Sequence, residues 1–183
     1  TLKRMCGVEG KVWEFTYEEL QKLTLAESEE RIPKFEDVLA LVGGKVPLIV
    51  EYKLDVPSTE VCEIADPMLQ AYNGIYCIES FHPFAVKWYR ENRPEIMRGQ
   101  LSEDYAKGGK KKLYLWIMTQ LLTNFMTRPD FIAYNHRDAE NLSRRLCRKM
   151  GSLAVTYTIK NQEQYEKAKP HFDLFIFDSF ILK

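Results

Sequence analysis

Short runs of branched and aromatic residues recur along the 183-residue chain, and each is followed by a segment whose apolar residues are spaced three or four apart. The runs predict strands and the spaced segments predict amphipathic helices. The clearest run is Val46 to Tyr52 (VPLIVEY), and its nearly continuous apolar character is typical of a strand buried on both faces. The six predicted strands cover residues 46–52, 75–79, 96–101, 131–134, 153–158 and 174–177.

The helical segments carry start and stop signals that support their assignment. Pro83 suits a first helical position, Asn161 suits an N-cap, and Gly151 suits a C-terminal stop. Before the first strand, Thr16 is a plausible cap for a short helix. The predicted helices cover residues 17–23, 35–42, 59–72, 83–92, 110–127, 138–150 and 162–169.

Strand and helix alternate throughout, which predicts an α/β fold with a parallel sheet, either a doubly wound sheet or a closed barrel. The strand starts at 46, 75, 96, 131, 153 and 174 are spaced close to the repeat of an eightfold barrel. Two further units of about 30 residues would bring the chain near the roughly 250 residues of such a barrel. The arithmetic therefore favours a TIM-type (β/α)8 barrel that lacks its first two β/α units, as a single domain over residues 1–183 with about 60 further residues upstream.

Composition narrows the function classes. Because 26 basic and 26 acidic residues balance, we expect no nucleic-acid partner. The longest apolar stretch, Leu113 to Met126, is interrupted by polar residues, so we expect no transmembrane segment. Four scattered cysteines without a CxxC pair indicate reduced thiols in a cytoplasmic protein.

Two segments are candidates for interaction surfaces. The stretch from Leu113 to Met126 is apolar nearly all round, which predicts burial against the sheet or against a partner copy in a homo-oligomer. The basic run from Lys107 to Lys112 suits either the steering of an anionic substrate or a solvated loop.

In a parallel barrel the carboxyl ends of the strands build the active site, which directs attention to Glu51 and Lys53. Side chains alternate along a strand, so these two should point to the same side. The pair fits a metal ligand beside a phosphate-binding lysine, and it equally fits a structural ion pair or a solvated strand end. His82 fits a general acid or base, or the turn into a helix.

With these residues in view, the chain resembles the glycerophosphodiester phosphodiesterase family, which is built on an eightfold barrel. The resemblance covers nearly the whole chain, and the ordered set of motifs is specific although each is short. The segments that carry it are Leu2-Lys3-Arg4 with Gly10-Lys11-Val12, Thr16 to Leu20, Arg31-Ile32-Pro33 with Phe35 to Leu39, Ile49 to Lys53, Glu79 to Pro83, Arg98 to Ser102, Arg128 to Tyr134 and Tyr157-Thr158-Ile159.

The resemblance implies metal-dependent hydrolysis of a small-molecule glycerophosphodiester to glycerol 3-phosphate and an alcohol. It implies that Glu51 binds one divalent cation, Mg²⁺ or Ca²⁺, and that Lys53 contacts the phosphate. Tyr157, where the family often has Trp, is expected to stack at the glycerol side. Phe81 and Gln100 are expected to be further substrate-binding residues.

The family's catalytic histidines and its other metal carboxylates belong to a segment upstream of Thr1. We therefore expect no catalytic residue within this chain and no turnover by the chain alone. The alternative is a non-catalytic barrel used for binding or assembly through residues 113–126.

Overall fold

The computed structural model describes residues 2–54, 57–108 and 112–182. The chain divides into two units, Thr1–Lys45 and Val46–Lys183. Residues 109–111, which form the middle of the basic run, lie outside the described residues.

The first unit contains three helices, α1 (Leu2–Cys6), α2 (Tyr17–Leu20) and α3 (Phe35–Val42), and a 3-10 turn at Val12–Glu14. Helix α2 begins at a reciprocal cap. The Glu19 N–H donates to Thr16 Oγ1 at 3.3 Å, and the Thr16 N–H donates to Glu19 Oε2 at 2.8 Å. Helix α3 ends at Gly43, whose φ of 53° suits a glycine. The cap predicted at Thr16 is confirmed.

The second unit alternates strands with helices. Its strands are β1 (Leu48–Glu51), β2 (Tyr76–Ser80), β3 (Arg98–Ser102), β4 (Phe131–Asn135), β5 (Leu153–Ile159) and β6 (Leu174–Phe177). Its helices are α4 (Glu60–Gln70), α5 (Pro83–Asn92), α6 (Leu113–Thr119), α7 (Asn124–Thr127), α8 (Leu142–Lys149) and α9 (Gln162–Ala168), with 3-10 turns at Tyr105–Gly108 and His136–Asp138. All six predicted strands are present, each displaced by no more than a few residues.

The signals that start these helices act as predicted. Pro83 occupies the first turn of α5 after the cap at His82. The Asn161 side chain caps α9 by accepting from the Gln164 N–H at 2.9 Å. Gly151, with φ of 98°, follows the end of α8.

The strand order distinguishes the two architectures that the sequence leaves open. The sheet is parallel throughout and its order is β1-β2-β3-β4-β5-β6, so each strand pairs with the next one in the chain. A doubly wound sheet reverses its order at a switch point, whereas a barrel adds strands in one direction. The six strands therefore form part of a TIM-type barrel.

Two apolar clusters lie on opposite faces of the sheet. The outer cluster joins Ile132 and Tyr134 to helix residues such as Ala168. The inner cluster consists of residues in the strands or directly after them, namely Cys77, Phe81, Leu101, Phe131, Ala133, Leu153, Val155, Tyr157 and Ile176. Because one inner cluster joins residues from β2 to β6, the sheet must curl around this face.

An aromatic contact measures this curvature. Phe81, directly after β2, and Tyr157, on β5, have ring centroids 5.8 Å apart at an interplanar angle of 84°. In a flat sheet three strand spacings would separate their backbones by roughly 14 Å. The contact also brings the carboxyl ends of these strands toward one another.

Two details of the predicted elements are wrong. Strand β1 is not buried on both faces, because it is an edge strand and Ile49 is 53% exposed. The helix predicted over 110–127 is two helices, α6 and α7, separated by Leu121 with φ of 54°. Leu121 packs into the outer cluster, and the Tyr134 hydroxyl donates to the Thr119 carbonyl at 3.0 Å, so tertiary contacts favour the break.

None of the helices in the described ranges is long and apolar enough to cross a bilayer.

Gly99 of β3 marks a tightly packed point of the inner face. A Cβ built there would lie 2.1 Å from the Phe131 ring, which is itself buried. Gly99→Ala should therefore lower the free energy of unfolding by about 1–3 kcal/mol, because the Phe131 ring must move within a packed core. Urea denaturation measures this loss. Equal stability of Gly99→Ala and the parent would contradict the packing argument.

Candidate active site

Glu51 and Lys53 lie at the carboxyl end of β1 and form an ion pair between Glu51 Oε2 and Lys53 Nζ. The Glu51 side chain is 31% exposed and the Lys53 side chain is 71% exposed. The ammonium is therefore largely in water, where such a pair stabilises the fold by about 1 kcal/mol at most. A contribution to stability alone therefore does not explain why these two residues are here. Both side chains are exposed enough to contact a ligand.

The backbone beside this pair is held by the neighbouring strand. The Tyr52 N–H donates to the Glu79 carbonyl at 2.8 Å, and Ser80 Oγ donates to the Tyr52 carbonyl at 2.6 Å. The Ser80 hydroxyl also accepts from the His82 N–H at 3.0 Å. These bonds fix the end of β1 to the turn that leads into α5, so the position of Glu51 is set by rigid elements.

A cavity of about 730 Å³ opens beside the ion pair. Glu51, Lys53 and His82 provide polar groups on its wall, and the segment that includes α6 provides much of the apolar wall. The lining residues are Glu51, Tyr52, Lys53, Leu54, Pro57, Phe81, His82, Pro83, Phe84, Tyr105, Tyr114, Leu115, Ile117, Met118 and Thr123. A few convergent polar groups in a mainly apolar cleft are typical of a small-molecule site.

Phe81 and Tyr157 differ in their position relative to this cavity. Phe81 lines the cavity, whereas Tyr157 does not and instead contacts the Phe81 ring edge-on. The Tyr157 hydroxyl donates to the Ser102 carbonyl at 2.7 Å, and burial raises the pKa of that hydroxyl. Tyr157 therefore supports the Phe81 ring from within the curled sheet.

Gln100 is fully buried and is not among the residues that line the cavity. Its Nε2 group donates to the carbonyls of Ser80, Phe81 and Leu101 at 3.0, 3.1 and 3.0 Å. Because three carbonyls surround Nε2, the orientation of the amide is fixed by its surroundings. Gln100 thus holds the backbone on which Phe81 is mounted.

Gln100→Leu should lower the free energy of unfolding by roughly 2 kcal/mol, because the carbonyls of Ser80 and Phe81 lose their buried side-chain donor. Chemical denaturation monitored by tryptophan fluorescence measures the loss. Glu91→Gln, on the exposed surface of α5, serves as the control and should change stability little. Equal stability of Gln100→Leu and the parent would contradict this expectation, and it would mean that removal of Gln100 Oε1, which is buried without a partner among the described residues, offsets the lost hydrogen bonds.

Glu79, which was not predicted from the sequence as a site residue, lies next to Glu51 without being one of the residues that line the cavity. It pairs with Glu51 in the register of β1 and β2, and it is only 6% exposed. Burial first, and then the nearby Glu51 carboxylate, raise the pKa of Glu79 to about 7, while Lys53 acts in the opposite direction. The signal in the sequence was the same as for Glu51, an acidic residue at the end of an apolar strand.

His82 caps helix α5, since its Nδ1 accepts from the Phe84 N–H at 3.3 Å. Burial lowers the pKa of the His82 imidazole, which favours the neutral ring that can accept this hydrogen bond at Nδ1. The helix-entry interpretation of the sequence therefore describes His82, although the ring also lines the cavity.

A second cavity, of about 810 Å³, lies beyond the ends of β4 and β5. Its charged side chains include the ion pairs Lys107–Asp138 and Lys167–Glu163. Because these charges neutralise one another, we place the candidate site at the cavity beside Glu51.

The amino-acid sequence matches the glycerophosphoryl diester phosphodiesterase family over residues 1–179. The chain belongs to this family. The family resemblance noted from the motifs is thereby confirmed, and the partial barrel agrees with it.

Solved structures similar to this family member share its fold. A phosphodiesterase from Oleispira antarctica in complex with its product sn-glycerol-3-phosphate is 16% identical with a TM-score of 0.76, covering 96% of this chain and 72% of that one. A glycerophosphodiester phosphodiesterase from Thermotoga maritima is 19% identical with a TM-score of 0.68, covering 96% and 71%. Another from Agrobacterium tumefaciens is 16% identical with a TM-score of 0.64, covering 97% and 74%. No curated protein sequence matches the chain.

The candidate site of this family member provides some, but not all, of the ligands that a hard divalent cation requires. Glu51 and Glu79 provide carboxylate oxygens, the ligands that Mg²⁺ and Ca²⁺ prefer. Glu79 Oε2 is buried without a hydrogen-bond partner among the described residues, as expected of an oxygen available to a ligand. Within residues 2–54, 57–108 and 112–182 no group of three histidine, cysteine or acidic side chains is placed to hold a metal ion.

Proposed function

We propose that this chain forms the cation- and phosphate-binding part of a phosphodiesterase that hydrolyses glycerophosphodiesters to glycerol 3-phosphate and an alcohol. One observation carries the proposal: in a member of this family, a carboxylate and an ammonium group in contact with each other line a ligand-sized cavity at the carboxyl end of a barrel strand. The Oleispira antarctica structure with bound sn-glycerol-3-phosphate supports the assignment of the product.

Glu51 would hold one divalent cation, Mg²⁺ or Ca²⁺, at the polar end of the cavity. When bound, the cation would offset the negative charge on the non-bridging phosphate oxygens. Lys53 is suited to contact the same phosphate, because its exposed ammonium group can turn from Glu51 toward a ligand.

The remaining predicted site residues have different proposed roles. Phe81 presents its ring to the cavity and contacts the carbon skeleton of the substrate. Tyr157 supports that ring, and Gln100 holds the Phe81 backbone, so both position Phe81 without touching the substrate.

We propose that the 183-residue chain by itself does not turn over substrate, because none of its residues matches the catalytic histidines that the family resemblance implies, and only Glu51 matches one of the metal carboxylates. Hydrolysis of glycerophosphocholine with Mg²⁺ or Ca²⁺, measured for the chain and for the full-length translated protein, tests both parts of the proposal. Activity of the full-length protein supports the function. Equal activity of the 183-residue chain would contradict its proposed incompetence.

A binding or assembly role through residues 113–126 is the second candidate. Leu113, Trp116 and Phe125 are exposed in this segment, which is unusual for residues of this type. Leu115, Ile117 and Met118, however, line the cavity beside Glu51, which favours the catalytic proposal. Sedimentation velocity of the parent and of Phe125→Ser tests assembly through this segment, because a homo-oligomer held together by it would dissociate in the variant.

We also propose that the protein acts in the cytoplasm. None of its four cysteines forms a disulfide in the described chain, as is typical of proteins in a reducing compartment.

A further inference from the structure

Two acidic residues, the partly exposed Glu51 and the buried Glu79, lie where β1 and β2 run side by side. Glu51 and Glu79 are partners in the parallel register, and neighbouring strands are about 4.8 Å apart. Cys77 and Phe81, two positions before and after Glu79, belong to the inner cluster. Because side chains alternate along a strand, the Glu79 carboxylate also points to the inner face of the sheet, the side on which the barrel interior lies.

The charges of this pair do not balance. Two carboxylates face one ammonium group, and that ammonium group contacts Glu51 Oε2. Glu79 is 94% buried, being only 6% exposed, and none of the described residues donates a hydrogen bond to its Oε2 atom. A buried carboxylate without a partner is unfavourable by several kcal/mol, so this position is expected to have a ligand.

We propose that Glu79 is a second carboxylate ligand of the divalent cation at Glu51, so that β1 and β2 each provide one ligand from adjacent positions. This inference rests on the proposed function, because it concerns the same cation. The cation supplies the positive charge that Lys53 cannot provide to both carboxylates. It also gives the partnerless oxygen of Glu79 a contact without burying a further side chain.

A proton is the competing ligand, since a neutral Glu79 would also remove the charge imbalance. Glu79→Gln separates the two cases, because glutamine has the shape of a neutral acid but cannot give a charged oxygen to a metal ion. Glu79→Asp is the second variant, since it keeps the charge and shortens the side chain by one methylene. Glu91→Gln, on the exposed surface of α5, is the matched control.

The test is isothermal titration of the full-length metal-free protein with Mg²⁺ and with Ca²⁺ alone, without substrate. Glu79→Gln should weaken the affinity at least roughly tenfold, as removal of even an indirect contact to a metal ligand typically does. Glu79→Asp should keep more affinity than Glu79→Gln, and Glu91→Gln should match the parent.

Two results would overturn the inference. If Glu79→Gln binds both ions as tightly as the parent while Glu51→Gln has lost binding, Glu79 carries only a proton and the cation site at Glu51 stands. If the parent binds neither ion, Glu79 has no metal to ligate, and the activity assay then decides separately whether the phosphodiesterase proposal survives. Circular dichroism of each variant establishes that lost binding is not lost folding.

Discussion

Glu51→Gln in the full-length translated protein is expected to lower the turnover of glycerophosphocholine by roughly 1,000-fold. The reason is that a metal ion stabilises transition-state charge by several kcal/mol, and each 1.4 kcal/mol is a factor of ten in rate. Glutamine keeps the size of the side chain but removes the charge that holds the cation. The measurement is the initial rate of choline release over a range of Mg²⁺ and Ca²⁺ concentrations.

The stability of the same variant distinguishes a functional pair from a structural one. The Glu51–Lys53 ion pair has a largely exposed ammonium group, so its loss should lower the free energy of unfolding by about 1 kcal/mol at most. A large fall in rate with nearly unchanged stability therefore identifies the carboxylate as a cation ligand. Lys53→Met should reduce the rate less than Glu51→Gln and leave cation affinity in place, since its proposed contact is with phosphate.

Glu91→Gln is again the control, because Glu91 is an exposed residue of α5 whose ion pair with Lys87 has a separation of 3.6 Å. Its rate should equal that of the parent. If Glu51→Gln also retains the parental rate and metal dependence, Glu51 is a structural residue and the proposed cation site is wrong.

Sequence patterns predicted those features that depend only on residues close together in the chain. The strands appear where branched and aromatic residues cluster, and the caps at Thr16 and Asn161 form because their side chains bond within their own first turns. Glu51 and Lys53 could be placed on one side of a strand end because alternation is a property of a single strand.

Contacts between distant segments could not be read from these patterns. The pairing of Glu51 with Glu79 depends on the register of two strands joined through α4, and a shift of one residue would place Glu79 on the other face. The break at Leu121 depends on packing into the outer cluster, and the exposure of Ile49 depends on which strand is at the sheet edge. Each of these features is set by tertiary structure, which no window along the sequence contains.

Glu79 is expected to make the stability of the metal-free protein depend on pH. The pKa of Glu79 is raised from 4.5 to about 7, so the folded state binds the Glu79 proton more tightly than the unfolded state does. Below pH 4.5 both states are protonated at this group. As the pH rises toward 7 the unfolded state loses the proton first, and the stability that Glu79 contributes is lost until both states are ionised.

The expected loss between pH 4.5 and about 7 is of the order of 3 kcal/mol, at about 1.4 kcal/mol per pKa unit. Glu79→Gln stays neutral, so above pH 7 and in the presence of a chelator it should be more stable than the parent by a similar amount. The two proteins should have similar stability near pH 4.5. Urea denaturation at a series of pH values, followed by tryptophan fluorescence, measures the difference.

Comparing variant with parent isolates Glu79 from the other groups that titrate in this range. Burial lowers the pKa of His82 and of His136, so these side chains destabilise the folded state as the pH falls, which is the opposite sign. Glu51 and Lys53, which face Glu79, are present in both proteins. Parallel pH profiles for parent and variant would show that Glu79 keeps an ordinary pKa. Profiles that converge near pH 4.5 and separate as the pH rises to about 7 would establish Glu79 as a buried acid whose charged form destabilises the metal-free folded chain.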